Sequence, residues 1–392
     1  MSDGWQVIDS IDHVDPTEWN EVVDAAGGSV FSTVEWLSAY EKEPPAPLHA
    51  VRHLVWRENG KLRAVAPMYY ASEDPHYTGY GPDYGFDHPI LRARMLVGHS
   101  FYSYFNGICS TLPAAEVAPG LVATMREVAT DLGSPLYGFP GVPETDPLCD
   151  ELDRLGFVSI YTEATSGVNF VGTAEAHLAG LKNKVRREFG RLRRRSERLG
   201  VTVRTDVDPG YVDAFAGLVE DVCARHGIPT INPPDNIRSI FRHLREQLHF
   251  LTIWKDDVLL GGFILLHRAD TLYAWIAGLN YDFHKEYATY YALYANTLDL
   301  AERLGVRRIE MGRSMYGFKV RMGFHPQLLV SWFDATDDAS REMLTGGAEA
   351  LESNCRTRQR IAEAYEAVDL IPPAPLLGPP RFPRSLAPAI HQ

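Results

Sequence analysis

Within one short stretch, Glu310-Met-Gly-Arg-Ser-Met-Tyr-Gly-Phe-Lys319, the chain gathers a carboxylate, a guanidinium, two aromatic rings and an ammonium. These types suit amide formation by acyl transfer. That reaction needs a neutral amine, a carbonyl held beside it and positive potential where the oxyanion grows. Lys319 would supply the potential; a donor in that role contributes ~2.7–4 kcal/mol. The residue type alone favours a plainer reading, a surface lysine whose stem lies over Tyr316 or Phe318. Arg313 follows Gly312 at the end of an expected strand, where α/β sheets place ligand contacts. It suits bidentate binding of a phosphate or carboxylate, or a structural ion pair. Glu310 is placed to take a proton from the attacking ammonium, or to be a satisfied partner within its strand.

Two further groups are candidates for substrate binding. Trp275, Asn280, Tyr281, Tyr287, Tyr290 and Tyr291 flank an expected strand-to-helix junction. Tyr290 and Tyr291 stand at the helix start, where backbone amides and the helix dipole favour an anion. Such rings stack on an adenine, hold an acyl chain or simply pack a core. Earlier in the chain, Tyr77, Tyr80, Asp83, Tyr84, His99, Tyr102 and Tyr104 lie in or near a segment rich in Gly and Pro, which suits recognition of a small polar acceptor. His99 is a base by its usual titration range, or an ordinary solvated loop histidine.

The bulk numbers bound what these residues serve. A chain of 392 residues exceeds one ordinary core, so two domains are expected. Apolar residues at 45% and charged residues at 23% describe a soluble globular protein. The sequence lacks an eighteen-residue apolar run, and Met1-Ser-Asp-Gly-Trp5 does not open a secretory signal, so a cytoplasmic protein without a membrane partner is expected. Cys109, Cys149, Cys223 and Cys355 are scattered and have no CxxC spacing, which predicts reduced thiols and no bound metal. The net charge of −13 argues against a protein that coats nucleic acid. Residues 181–200 are the exception, with nine Lys or Arg against Glu188 and Glu197.

Hydrophobic periodicity and turn residues predict the elements that hold the candidates. In the first half they give strands at 5–11, 48–57, 61–70, 101–109 and 135–139, with helices at 16–26, 33–43, 115–132 and 147–155. Asn59-Gly60 predicts a hairpin turn. The second half repeats the order: strands at 201–205, 250–255, 258–267, 271–278, 307–311 and 328–333, helices at 211–226, 235–247 and 290–304. Matching helices that end at Gly133 and Gly305, each before a short strand, support an internal duplication. The basic segment carries Leu181, Val185, Phe189 and Leu192 on one helical stripe. A last helix is expected over 341–367, then a Pro-rich tail. The expected domains are 1–175 and 201–337, joined by a basic connecting helix at 176–200 and followed by the helix to residue 370 and the tail at 371–392.

Three stretches resemble Fem-type and BioF2-like GNAT proteins, that is, double-GNAT acyltransferases. Ser29-Val-Phe-Ser-Thr-Val-Glu-Trp36 is similar to an early helix of that family, and Leu181–Leu192 to the charged helix before its second domain. Ala301–Phe324 resembles its closing pattern of helix, Gly, strand ending in Gly, aromatic-Lys and Gly-Phe. The resemblance implies an α/β protein with tandem GNAT-like domains, each a mixed central sheet flanked by helices. It also implies that Phe318 and Lys319 match the pair beside the aminoacyl ester in Fem-type enzymes, where the lysine stabilises the developing anion. Fem-type members transfer an amino acid from aminoacyl-tRNA to an amine, others use acyl-CoA. CoA-dependent GNAT enzymes carry a glycine-rich turn whose amides cradle the pyrophosphate. Here Asn280–Tyr290 holds no glycine, which disfavours CoA.

The expected function is therefore amide formation on a small metabolite or cell-wall precursor, with aminoacyl-tRNA as donor and no bound cofactor. Lys182, Lys184, Arg186, Arg187, Arg191, Arg193, Arg194 and Arg195 would meet the tRNA backbone, or would form a solvated helix paired with acidic neighbours. An N-acyltransferase using acyl-CoA or a carrier-protein thioester is the alternative, and a non-catalytic double-GNAT binding module a third. The oligomeric state stays open.

Overall fold

A computed structural model of the chain describes residues 4–72, 85, 88–205, 208–225, 227, 230–373, 376 and 380–382. The candidates Tyr77, Tyr80, Asp83 and Tyr84 lie outside the described residues. The chain divides into two compact units. The first comprises residues 1–164, 327–362 and 372–392, the second residues 165–326 and 363–371.

In chain order the first stretch gives β1 (Gly4–Ile8), α1 (Pro16–Ala25), α2 (Val34–Lys42), β2 (Leu48–Val51), β3 (His53–Glu58), β4 (Lys61–Ala66), β5 (Tyr69–Ala71), β6 (Met95–Val97), β7 (Cys109–Ser110), α3 (Ala114–Asp131), β8 (Leu136–Pro143), α4 (Pro147–Arg154) and β9 (Val158–Asn169). Then follow α5 (Ala174–Ala179), α6 (Asn183–Arg198), β10 (Thr202–Arg204), α7 (Pro209–Arg225), α8 (Pro234–His243), β11 (Leu248–Lys255), β12 (Val258–Arg268), β13 (Thr271–Leu279), α9 (Thr289–Leu304), β14 (Arg308–Glu310), α10 (Tyr316–Arg321), β15 (His325–Ala335), α11 (Asp338–Asn354) and α12 (Thr357–Glu366).

Local chemistry sets many of these boundaries. Asp15 accepts hydrogen bonds from the amides of Thr17 and Glu18 and starts α1, with Pro16 in its first turn. Asn59 and Gly60 both take positive φ, as a two-residue hairpin turn between β3 and β4 requires. In the first unit β1, β3, β4 and β7 form one antiparallel sheet, and β15, β8, β6, β5 and β2 are ordered in another, with β6 and β8 parallel across α3. In the second unit the order is β10-β11-β12-β13-β14-β9, with β13 and β14 parallel across α9. Its core joins Phe263, Leu265 and Leu272 of the sheet to Leu293, Tyr294 and Leu298 of α9 and to Phe189 of α6. Each unit thus holds a strand–helix–parallel-strand crossover on a mixed sheet.

Several expectations are corrected. No strand covers 101–109; only Cys109 and Ser110 pair, with β4, and Tyr102 takes a positive φ there. The helix expected over 341–367 is two, because Cys355 adopts extended backbone and stops α11. β9 was not expected, although it is twelve residues long. The basic helix α6 belongs to the second unit rather than linking two domains, and the chain from Gln327 through α11 belongs to the first. Arg381 and Phe382 are anchored on the first unit, by Arg381 Nη2 to both Asp150 oxygens (2.8 and 2.9 Å) and by Phe382 on Trp332.

Among the described residues no helix is long and apolar enough to cross a membrane, and no cluster of His, Cys, Asp and Glu suits a metal ion. All four cysteines are free thiols.

Candidate active site

The site grows from the place where the second unit's sheet opens. β13 and β14 pair over only three positions, Thr271 with Arg308, Leu272 with Ile309 and Tyr273 with Glu310. β13 runs on to Leu279, while the chain after Glu310 turns toward β9: Met311 N donates to Ser166 O and Ser166 N donates to Gly312 O. Trp275, half-buried, lies on the stretch of β13 past the divergence.

The chain leaves β14 through a turn of unusual backbone. Gly312, Ser314 and Met315 all have φ between 50° and 66°. Glycine accepts that region freely; for the other two it costs roughly 1–3 kcal/mol each, which the surrounding structure must offset. Met315 is 53% exposed and caps α10 with no side-chain hydrogen bond. The distortion aims two carbonyl oxygens inward at one atom. Lys319 Nζ donates to Gly312 O at 2.9 Å and to Arg313 O at 2.5 Å.

Lys319 is only 3% exposed, so the plain reading of a solvated surface lysine is overturned. Burial pulls its ammonium down to about 7, against the opposing attraction of Glu310. Glu310, 1% exposed, is pushed up by burial while Arg308 and Lys319 hold it down. Arg308 Nε donates to Glu310 Oε1 at 2.5 Å, and its Nη2 closes a second contact to the same oxygen. Glu310 Oε2 makes no well-formed hydrogen bond among the described residues; the Thr165 hydroxyl, likewise without one, is the neighbour that acts on it. Gly167 is Glu310's register partner on β9, and a Cβ there would stand 2.5 Å from Glu310 Oε1 and 2.6 Å from an Arg308 nitrogen. The missing side chain leaves room for the ion pair.

Aromatic rings seat α10. Phe318 packs edge-on to Tyr290, Tyr291 and Tyr294 of α9 at centroid distances of 4.7, 5.6 and 5.7 Å. Tyr316 is buried. Burial raises the phenols of Tyr290 and Tyr291 above their ordinary range, so both stay neutral donors. Arg321 spans Tyr291 Oη and Glu188 of α6, and lies over the rings of Tyr291 and Phe318.

The structure therefore brings Lys319, Glu310, Arg313, Tyr316, Phe318, Tyr290 and Tyr291 into one neighbourhood. Asn280 has another job: its Oδ1 accepts from Asp282 N and its Nδ2 donates to Leu259 O, which shapes the turn after β13. At the start of α9 three amides are taken up within the chain. Thr289 N donates to His284 O, and Tyr291 N and Ala292 N donate to Ala288 O. Phe283 N, His284 N and Tyr287 N are spent on carbonyls of the same loop. His99 and Tyr102 belong to the first unit. His99 is buried, not solvated, with Nδ1 at 2.9 Å from Ser103 Oγ. Arg308, Gly167 and Thr165 were missed; an arginine two places before a strand carboxylate was the one available signal.

Residues 183–320 match the family model described as an acetyltransferase (GNAT) domain. Comparison with curated proteins returns no match. Among solved structures the chain is similar to FemX, at 12% identity and TM-score 0.60, over 83% of this chain and 96% of that one. It is similar to a tandem GNAT protein from the clavulanic acid biosynthesis pathway, solved without AcCoA, at 12% identity and TM-score 0.52, over 85% and 99%. It is also similar to L-PGS from Bacillus licheniformis, at 10% identity and TM-score 0.53, over 88% and 98%. The chain thus has a tandem GNAT fold, shared with FemX and with the tandem GNAT protein, and its residues 183–320 carry the GNAT-domain match.

Proposed function

We propose that the enzyme forms an amide by moving an aminoacyl group from aminoacyl-tRNA to the amine of a small metabolite or cell-wall precursor. The observation that carries the reaction is Lys319, buried at the opening of the sheet with two of its three N–H donors spent on the Gly312 and Arg313 carbonyls. Its third donor serves the ester oxygen. The amine nitrogen attacks the ester carbon, the carbon–oxygen π pair moves onto oxygen, and the Lys319 ammonium stabilises that oxyanion. Collapse re-forms the carbonyl and breaks the bond to the ribose oxygen, which leaves with the proton shed by the attacking nitrogen. Glu310 acts on Lys319 as the opposing charge that partly offsets the loss of basicity caused by burial. Phe318, Tyr290 and Tyr291 offer rings to the transferred group, and Arg313 offers a cation to a substrate anion.

The choice of donor is supported by the loop before α9. Phe283 N, His284 N and Tyr287 N bond to carbonyls of that loop, and Lys285, Glu286 and Tyr287 stand where close approach of a pyrophosphate asks for glycine. The fold shared with FemX agrees with the reading. Incubation with a charged tRNA pool, and separately with acyl-CoAs, followed by mass analysis of candidate amines, tests it. Amide products that need tRNA are expected; products from acyl-CoA with no RNA present would contradict the donor.

A further inference from the structure

Apart from the half-buried Arg195, the basic residues in and beside α6 divide into two sets. Lys182, just before the helix, donates to Asp369 O at 2.7 Å. Arg186 is held by Asn183 Oδ1 and Ala179 O, and Arg193 by Glu197 and Asp299. These three are occupied within the second unit. Lys184, Arg187, Arg191, Arg194 and Arg198 are exposed and form no ion pair among the described residues, although Arg198 Nε donates to the Arg194 carbonyl of its own helix at 3.3 Å. Their spacing is three, four, three, four, so they lie in one stripe along the helix. At 100° per residue that stripe is opposite Val185, Phe189, Leu192 and Ser196, which are buried. At 1.5 Å per residue it runs for about 21 Å. Glu188, on the helix flank, meets Arg321 Nη1 at 3.8 Å, and Arg321 is two positions past Lys319.

We infer that this stripe is a docking track for the phosphate backbone of RNA, set beside the acyl-transfer site; the inference rests on the aminoacyl-tRNA reading and says which surface receives that RNA. Charge complementarity favours a polyphosphate. The remainder of the chain carries about −20 around this +7 segment, so an anionic partner is accepted here and repelled elsewhere. A narrow backbone meets the stripe alone, whereas a flat anionic membrane would also face the acidic body. The helix has no outward apolar residue to enter a bilayer, since its apolar side is spent on the core. Lys182, Arg186 and Arg193 are excluded from the track, and Arg198 extends it.

Fluorescence anisotropy of a labelled RNA hairpin with a single-stranded end, titrated with the full chain over a salt series, tests the inference. Five phosphate contacts predict a slope of log K against log[salt] of about −3.5 to −4.5. Arg191→Gln should reduce that slope by about 0.7–0.9, and Arg187→Glu with Arg194→Glu should weaken binding at least ~100-fold at low salt. Arg193→Gln should leave the slope unchanged. A slope near zero, wild-type binding by the charge-reversed chain, or binding to anionic vesicles but not to the hairpin would overturn the track. Unimpaired transfer from charged tRNA by the charge-reversed chain would overturn it while sparing the donor reading. Hairpin binding along the stripe, with products formed from acyl-CoA alone, would sustain the track and sink the donor.

Discussion

The two crossovers, β6–α3–β8 and β13–α9–β14, share a plan and end differently. After β8 the chain enters α4 in ordinary fashion: Asp146 caps the helix by accepting from Leu148 N, Pro147 sits at its first position, and the last-turn Arg154 is exposed and paired with Glu151. The nearby buried carboxylate, Glu144, is satisfied by Tyr161 Oη and the Arg381 amide. After β14 the chain enters α10 through three left-handed residues with no cap, its lysine is buried, and Glu310 keeps one oxygen without a well-formed bond. One junction has been resolved for stability and the other holds strain and uncompensated polarity. The difference is what the proposed site rests on, because a structure tolerates such costs where function requires them.

The sharpest way to break this contrast is to alter two residues at each junction in turn. Lys319→Ala should cut turnover by at least ~100-fold, as loss of an oxyanion donor does, with thermal unfolding still cooperative. Gly167→Val should follow: its side chain collides with Glu310 and Arg308, and calorimetry should record a loss of about 1–3 kcal/mol, with a shifted pH profile of activity. Asp146→Ala on the quiet side should cost about 1 kcal/mol in urea unfolding with kcat unchanged. Arg154→Ala should alter neither turnover nor stability by more than about 0.5 kcal/mol, since the arginine itself is exposed and its ion pair joins neighbouring turns of one surface helix. A large kinetic effect at Arg154 would erase the distinction between the two junctions.

Much of the chain was legible in its residues because local signals agreed with the fold. Asp15-Pro16, Asn59-Gly60 and Gly305 punctuate elements by backbone chemistry alone, and the order of short motifs ending in Phe318-Lys319 pointed to the site. β9 was hidden because Glu163, Thr165 and Ser166 interrupt its apolar run, and their burial is a tertiary fact. The break at Cys355 had no Pro or Gly to mark it. Lys319 showed its type but not its burial: the carbonyls that hold it are aimed by Ser314 and Met315, neither of which advertises positive φ. Gly167 matters through what stands across the sheet, which one strand's sequence does not contain.

The central claim concerns the charge on Lys319, and its titration reads that charge most directly. With a nucleophile such as hydroxylamine, which stays neutral here, the single-turnover rate should be followed from about pH 7 to about pH 9. The burial-lowered ammonium, near 7, predicts a rate that falls as pH rises through this range, because deprotonation removes the positive donor. A rate that stays level or climbs across the same range would contradict a role for Lys319 as the cation that meets the oxyanion.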